Sequence, residues 1–273
     1  MIDVSNSDDS PRHWFEDVAD HLGPAYLRYS FTKGTSQEVS FLIESLGLEP
    51  GMTVLDVGCG PGRHSVELAS RGIRAVGIDI SERFIEVASD LAIAEGVADM
   101  VEFHRGDARL MVGDERVDAS LRGGGSEVAG FDAAISLCQG AFGLGGPTTL
   151  EDPQNLAPDS AVLAGVRAAL RPGGRVAVSA FSSYFQVKWL EDTDAFDAAG
   201  AVNHETTELR DSDGVRIDSE LWTTCYTPRE LRLLGERCGL VVDDIWSVSP
   251  GEYRRAEPTI ESHEFLLVAH RSD

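Results

Sequence analysis

The sequence predicts an α/β fold with a doubly wound, mostly parallel sheet of seven strands that ends in an antiparallel hairpin. Three observations lead to this prediction. Short apolar runs alternate with amphipathic helical patterns, a glycine-rich turn at 58–62 joins the first run to a helix, and the last two runs have no helix between them. Alternating strands and helices are typical of parallel sheets, whereas consecutive strands usually pair antiparallel.

The N-terminal segment, residues 1–34, is expected to form a helical lid. Apolar and aromatic residues recur at helical spacing from Trp14 to Tyr29, and Gly23-Pro24 interrupts them, which predicts two short helices. We expect Tyr26, Tyr29 or Phe31 to close over a bound cofactor or substrate. A segment that only packs on the sheet edge would have the same pattern.

The first strand leads into the glycine turn. The run Val54–Val57 is apolar except for Asp56, which is typical of a buried parallel strand. Ser65–Arg71 then has a helical pattern that ends at Gly72. Three glycines lie between them at alternate positions: Gly58, Gly60 and Gly62. Because glycine has no Cβ, a ligand can approach the backbone amides at the helix N-terminus, and the turn is a predicted binding site.

The residues around the turn indicate which ligand it binds. A dinucleotide site has the pattern G-x-G-x-x-G, whereas this turn has G-x-G-x-G with Asp56 two residues before it. A carboxylate there would repel a pyrophosphate and suit a cationic amine. Asp79 ends the next predicted strand, Arg74–Asp79, where an acid can accept hydrogen bonds from both ribose hydroxyls. The expected ligand is a nucleoside with a positively charged tail and no phosphate, a description that S-adenosylmethionine fits.

The remaining core elements follow from hydrophobic periodicity and capping signals. The predicted helices are Thr35–Leu46, Glu82–Glu95, Ser160–Leu170 and one from Thr227 to Cys238. The predicted strands are Val101–His104, Phe131–Leu137, Arg175–Phe181, Leu240–Val248 and Glu264–His270.

Two segments break this alternation. Residues 109–130 have mixed charge and no periodicity, which indicates a surface insertion. Residues 182–226 are predicted to form a small cap over the substrate. The cap is expected to contain a helix from Tyr184 to Ala199 and a hairpin of Asn203–Arg210 and Val215–Tyr226.

Four motifs occur in order over residues 50–180, namely VLDVGCGPG at 54–62, GIDIS at 77–81, GDA at 106–108 and LRPGG at 170–174. With these motifs the sequence resembles the class I S-adenosylmethionine-dependent methyltransferases that act on small molecules. The resemblance implies a Rossmann-like methyltransferase domain at 35–273 with S-adenosylmethionine as its cofactor. It also implies direct displacement of the methyl group by an N, O or other nucleophilic atom of the acceptor.

Together with the ends of the predicted strands, the resemblance assigns residues to the cofactor site. Asp79 would bind the ribose hydroxyls, and Ile80 would lie on the adenine ring. Asp107, with Ala108 beside it, would accept a hydrogen bond from the adenine amine or would instead stabilise its own turn. The other predicted cofactor-binding residues surround the glycine turn, the end of the fourth strand and the lid: Asp56, Gly58, Cys59, Gly60, Gly62, Arg63, Leu137, Cys138 and Tyr29.

Three of these residues have an alternative role. Asp56 would compensate the methionine amino group, directly or through water, or it would bond the amides of its own turn. Arg63 would reach the methionine carboxylate unless it is simply solvated. Cys138 is an isolated cysteine and is also typical of a small packing residue.

The loop at 137–142, after the fourth strand, is where the transferred methyl group should lie. It has neither the N/D-P-P-Y/F motif of enzymes that methylate exocyclic base amines nor the Pro-Cys nucleophile of cytosine C5 enzymes. The catalytic candidates are Gln139 in this loop, which can hydrogen-bond cofactor or substrate, and His204 and Tyr226 in the cap. Glu220 and His64 are further candidates for a general base. Each is equally typical of a structural polar residue, and no zinc ligand set is visible.

The composition limits the partners. The net charge is −23 and Lys33 and Lys188 are the only lysines, so the surface repels nucleic acids and anionic membranes. We therefore expect a small-molecule substrate, no nucleic-acid or membrane partner, and a monomer or homodimer. The four cysteines are widely spaced, the first residues lack a signal-peptide pattern and no apolar run is long enough to span a membrane. These features favour a reducing cytoplasm.

Two other functions are compatible with the sequence. A nicotinamide-dependent reductase has a related nucleotide-binding fold, but Asp56, the glycine spacing and the absence of a Tyr-x-x-x-Lys pair argue against it. A non-catalytic S-adenosylmethionine-binding protein would keep the same motifs, because methyl transfer needs few diagnostic side chains. Within the enzyme class, a macromolecular acceptor such as a basic peptide is the remaining alternative.

Overall fold

A computed structural model describes residues 12–112, 130–138 and 140–272. Most of the predicted insertion 109–130 lies outside these ranges, as does Gln139. The strands are β1 Thr53–Val57, β2 Arg74–Asp79, β3 Val101–Arg105, β4 Phe131–Ser136, β5 Leu170–Ser182, β6 Ala195–Asp197, β7 Val202–Arg210, β8 Arg216–Tyr226, β9 Leu240–Val248 and β10 Glu264–Arg271. The helices are α1 Trp14–Leu22, α2 Thr35–Leu46, α3 Arg63–Ser70, α4 Glu82–Ala94, α5 Ala157–Ala169, α6 Ser183–Lys188 and α7 Pro228–Arg237. Short 3₁₀ helices lie at Gly23–Arg28, Ser30–Gly34 and Ala108–Leu110.

Seven strands form the core sheet in the order β3-β2-β1-β4-β5-β10-β9. The first five are parallel, β10 is antiparallel to β5, and β9 is antiparallel to β10. Strands β2 and β3 follow β1 toward one edge of the sheet, whereas β4 and β5 lie on the other side of β1, so the strand order reverses between β1 and β4. Ligands of doubly wound sheets bind at the carboxyl ends of the strands, beside the point of such a reversal. The predicted fold class is confirmed.

The cap differs from its prediction. Helix α6 ends at Lys188, and Ala195–Asp197 pairs antiparallel with β7, so the predicted helix from Tyr184 to Ala199 is wrong beyond its first turns. Strands β6, β7 and β8 form an antiparallel extension that joins β5 through the pairs of Phe181 with Cys225 and Ser182 with Tyr226. The connected sheet therefore has ten strands. Local periodicity missed β6 because its hydrogen bonds come from a strand formed later in the chain.

Apolar side chains cover both faces of the core sheet. Helices α5 and α7 pack on one face, in the same apolar cluster as Leu55 of β1. Helices α2 and α3 pack on the other face, in the same cluster as Val54 of β1. Both faces of β1 are buried because neighbouring residues of a strand point in opposite directions, and this explains its continuous apolar run. In the part of the chain that the structure describes, no helix is both long and apolar enough to span a membrane.

The predicted lid is helix α1 followed by the 3₁₀ helix Gly23–Arg28. Val18 and Leu22 of α1 pack with Leu209 of β7 in a separate apolar cluster. The rings of Phe15 and Tyr26 both contact Phe84 of α4, with ring centroids 6.1 and 5.0 Å apart. The lid therefore bridges the core domain and the cap.

Candidate functional site

The glycine turn connects β1 to α3 at the carboxyl edge of the sheet. Gly58 and Cys59 donate their backbone N–H groups to the carbonyl oxygen of Ile78 at 2.7 and 3.0 Å, which fixes the turn to the end of β2. The three glycines at 58, 60 and 62 all have positive φ, of 71°, 54° and 78°. Residues with a Cβ rarely adopt this conformation, so glycine is favoured at all three positions.

The three glycines have different surroundings. A Cβ at Gly58 would lie 1.9 Å from the carbonyl carbon of Gly140, and one at Gly62 would lie 2.7 Å from the Cβ of Ala88. At Gly60 the nearest atom would be Cδ2 of Phe84, at 3.9 Å. Close packing of the chain against itself therefore excludes a side chain at the first and third positions. Of the three positions, Gly60 has open space beside it, and the expectation that a missing Cβ admits a ligand remains a prediction there.

Asp79 lies beside the turn with only 3% of its surface exposed. Its Oδ2 accepts a hydrogen bond from the backbone N–H of Gly60 at 2.8 Å, and its Oδ1 accepts one from Ser81 at 2.9 Å. Burial raises the pKa of Asp79 to about 7 although both hydrogen bonds act to lower it. Each carboxylate oxygen keeps a further acceptor position for a ligand hydroxyl.

A cleft extends in two directions from Gly58 and Asp79. One end is lined by Ile80, Asp107 and Ala108, and the other by Gly60, Phe84 and the ends of β4 and α3. The guanidinium of Arg109 donates to both oxygens of Asp107, at 2.6 to 3.1 Å. Burial alone would raise the pKa of Asp107, but the hydrogen bonds from Arg109 hold it below its usual range.

A buried ion pair supports the second end of the cleft. Arg63 donates from Nη1 to Oε2 of Glu38 at 2.6 Å and from Nη2 to Sγ of Cys138 at 2.8 Å. Nε2 of His64 lies 2.7 Å from the same Glu38 oxygen, and the other oxygen accepts from the backbone of Gly251. Burial acts to raise the pKa of Glu38, but His64 and Arg63 outweigh it and lower the pKa to about 2.

Glu38, His64 and Cys138 also lie close enough to one another to hold a metal ion. The Arg63 guanidinium contacts both the carboxylate and the sulfur, so a permanent positive charge already lies within this group. Adding a divalent cation beside it would be electrostatically costly. We interpret the group as a structural ion pair.

A separate pocket lies between the lid and the cap, and we call it the acceptor pocket. It has a volume of about 510 Å³, within the usual range for small-molecule sites. Its walls are the lid, the β7–β8 hairpin and the ends of β5 and β10: Phe15, Val18, Leu22, Tyr26, Tyr29, Cys138, Phe181, Glu205, Thr207, Glu208, Leu209, Leu221, Ser249, Pro250, His263 and Glu264. Phe15, Tyr26 and Cys138 also line the cleft, so the two cavities adjoin at these residues.

A family model described as a methyltransferase domain matches residues 48–227. The chain belongs to this methyltransferase family. The match contains all four motifs and extends through the cap. It confirms the resemblance to class I S-adenosylmethionine-dependent methyltransferases.

Known proteins resemble this methyltransferase in sequence over part of its length and in fold over nearly all of it. The sterol 24-C-methyltransferase of Yarrowia lipolytica is 32% identical over 92 residues, which are 33% of this chain and 24% of that protein. This chain spans about a quarter of the length of the sterol methyltransferases it matches. The CcbJ methyltransferase of Streptomyces caelestis superposes with a TM-score of 0.72 at 17% identity, covering 97% of this chain and 100% of that one. CalS10 of Micromonospora echinaspora, an amino pentose methyltransferase with S-adenosylmethionine bound, gives 0.57 at 18% identity, covering 91% and 96%. At these identities the two structures show a shared fold.

Most of the predicted cofactor-binding residues line the cleft of the methyltransferase: Gly58, Cys59, Gly60, Arg63, Asp79, Ile80, Asp107, Ala108, Leu137 and Cys138. Three others have different surroundings. Asp56 is buried and accepts a hydrogen bond from Oγ of Ser65 at 2.7 Å, so this partner is a hydroxyl of α3 and not one of the turn amides that the alternative interpretation named. Gly62 packs against α4, and Tyr29 lines the acceptor pocket.

The predicted catalytic residues of the cap do not line either cavity in the described part of the chain. His204 stacks on Trp222 with ring centroids 4.8 Å apart, and its Nε2 lies 3.7 Å from Oε1 of Glu220. Tyr226 is 2% exposed and donates its hydroxyl hydrogen bond to Asp159. These positions favour structural roles for His204 and Tyr226. The third candidate, Gln139, lies outside the described residues.

Sequence reasoning missed two buried carboxylates near the site, Glu38 and Glu264. Glu38 has no exposed surface, and it lies four residues before Leu42 on the inward face of α2. Glu264 opens a strand that is otherwise apolar through Ala269 and is only 4% exposed. A charged residue on an apolar helix face or at the start of an apolar strand is the signal that could have identified both.

Proposed function

We propose that this protein transfers a methyl group from S-adenosylmethionine to a small molecule held in the acceptor pocket. The observation that carries this proposal is the junction of the two cavities at Phe15, Tyr26 and Cys138. A nucleophilic atom of a ligand in the pocket would meet the cleft there, at the end of β4.

The cleft fits the proposed cofactor. The open space beside Gly60 would admit it against the backbone, and the Asp79 carboxylate would accept hydrogen bonds from the ribose hydroxyls. Ile80 and Ala108 offer apolar surface for the adenine, with Asp107 as an acceptor for its amine. When bound, S-adenosylmethionine supplies a methyl group that its sulfonium already activates.

The protein would contribute alignment and exclusion of water. The lid places the rings of Phe15 and Tyr26 at the junction, and the cap closes the opposite side of the pocket. Correct alignment of two reactants lowers a barrier by about 7–11 kcal/mol in favourable cases. Such a site needs no metal and no covalent intermediate.

The charge of the protein supports a small-molecule acceptor. A net charge of −23 opposes binding to phosphodiester backbones and anionic membranes. We also propose a reducing, cytoplasmic setting, because the cysteines at 59, 138, 225 and 238 are all unpaired.

Isothermal calorimetry with S-adenosylmethionine, S-adenosylhomocysteine and NADPH tests the proposal, followed by a methyl-transfer assay on small-molecule acceptors. We expect micromolar binding of the first two compounds, no binding of NADPH, and turnover of at least one acceptor. Binding of NADPH alone would refute the cofactor assignment. Binding of S-adenosylmethionine without turnover of any acceptor would instead favour the non-catalytic binding protein.

A further inference from the structure

We infer that the acceptor is an amine that binds in its ammonium form, and that Glu264 is the group that holds it and removes its proton. This inference rests on the proposed function and specifies its substrate class. It comes from the chemistry of the acceptor pocket and from one buried carboxylate oxygen without a partner.

The walls of the acceptor pocket favour a cation. Three carboxylates line it, those of Glu205, Glu208 and Glu264, and no lysine or arginine is among its described lining residues. Glu208 is exposed and already accepts a hydrogen bond from Arg216 at 3.0 Å, which leaves Glu205 and Glu264 to act on a ligand. Four aromatic residues also line the pocket, and the faces of aromatic rings attract cations: Phe15, Tyr26, Tyr29 and Phe181.

Glu264 is the better placed of these two carboxylates. It opens β10 directly opposite Phe181 of β5, and both residues line the pocket. Oε2 of Glu264 is buried and has no hydrogen-bond partner among the described residues. A buried carboxylate oxygen without a partner is costly, and a ligand ammonium group would satisfy it.

Glu264 is also connected to the junction with the cleft. The Ser179 hydroxyl acts to lower the pKa of Glu264, and its oxygen accepts a hydrogen bond from the backbone N–H of Cys138 at 2.8 Å. Cys138 lines both the cleft and the acceptor pocket. An amine held by Glu264 would therefore lie close to the position where the methyl group is transferred.

The surroundings of Glu264 suit a group that accepts a proton near neutral pH. Burial and the charge of Glu38 raise the pKa of Glu264 to about 7, while Ser179 and Arg63 act to lower it. The other titratable groups that face it are Tyr26, Cys138, Tyr253 and, in the pocket wall, Glu205, Glu208 and His263.

The proposed step balances protons and electrons. The ammonium nitrogen gives one proton to Oε2 of Glu264 and so frees its lone pair. That lone pair forms the new N–C bond while the bond between the methyl carbon and sulfur breaks, and the electron pair of the broken bond stays on sulfur. The product is a methylated ammonium ion and a neutral thioether, and the proton on Glu264 then passes to solvent.

The test compares amines with alcohols of the same shape. Benzylamine and benzyl alcohol, and cyclohexylamine and cyclohexanol, are titrated calorimetrically into the protein, alone and with saturating S-adenosylhomocysteine. We expect each amine to bind roughly tenfold or more tightly than its alcohol, as for a hydrogen bond to a charged group. Equal binding of amines and alcohols would overturn the inference, and this comparison needs no variant.

Glu264→Gln and Glu208→Gln provide the matched variants. We expect E264Q to abolish the preference for amines, and E208Q to keep it because Arg216 already neutralises Glu208. In the wild type, amine affinity should increase as the pH rises through about 7, and E264Q should lose this increase. An amine preference that survives E264Q would overturn the role of Glu264. Failure of S-adenosylhomocysteine to bind would instead refute the proposed function, so the two failures are distinguishable.

Discussion

The second and third glycines of the turn should respond differently to the same substitution. Both have positive φ, but an added Cβ at Gly60 meets only Phe84 at 3.9 Å. At Gly62 it meets the Cβ of Ala88 at 2.7 Å and Cζ of Phe103 at 2.9 Å, which real Cβ atoms essentially never do. Gly60→Ala therefore tests whether the cofactor occupies the space beside Gly60, whereas Gly62→Ala tests how tightly the turn packs against Ala88 and Phe103.

The backbone term is the same for both variants, because a left-handed conformation costs a residue with a Cβ about 1–2 kcal/mol. Gly62→Ala adds an overpacking cost of about 1–3 kcal/mol, so its total loss of unfolding free energy is about 2–5 kcal/mol. Gly60→Ala should lose only the backbone term. Its methyl group should instead weaken S-adenosylmethionine binding by about tenfold or more, which corresponds to about 1.4 kcal/mol.

Urea denaturation and calorimetry with S-adenosylmethionine measure the two effects separately. The reasoning is refuted if Gly62→Ala is as stable as Gly60→Ala, because the contacts with Ala88 and Phe103 would then not constrain the turn. It is also refuted if Gly60→Ala binds the cofactor like the wild type. In that case the space beside Gly60 is not part of the binding site.

Three further predictions concern carboxylates and their partners. Asp79→Asn should weaken S-adenosylmethionine binding by about 1.5–3 kcal/mol for each charge-assisted hydrogen bond lost, and unchanged affinity by calorimetry would contradict the ribose assignment. Tyr226→Phe leaves the buried Asp159 without its hydroxyl donor and should lower the unfolding free energy by about 1–3 kcal/mol. Cofactor affinity should not change in this variant, and a selective loss of methyl transfer without a loss of stability would restore the catalytic role of Tyr226. Glu264 binds its proton more tightly in the folded state, so its ionisation removes stability as pH rises from 4.5 to about 7. Across this window the wild type should therefore lose about 3 kcal/mol of unfolding free energy relative to E264Q. A difference between the two proteins that does not depend on pH would show that the carboxyl is not buried in this way.

The sequence by itself determined the core of this protein. The runs of β1 and β2, the glycines between β1 and α3, and the acid at the end of β2 are local features that a parallel sheet brings to one edge. Their order along the chain also determined the family. These predictions succeeded because strand burial, helix capping and left-handed turns depend mainly on neighbouring residues.

Only the tertiary structure decided which residues meet around the ligand. Gly58 faces Gly140, and the contact of Glu38 with Arg63 joins residues 25 positions apart. Strand β6 exists because β7 pairs with it, although its own sequence favoured a helix. Glu264 becomes a candidate for proton transfer because β10 lies beside β5 and leaves one buried oxygen without a partner at the acceptor pocket. Such roles depend on burial and on contacts between distant segments, and the local pattern of a sequence contains neither.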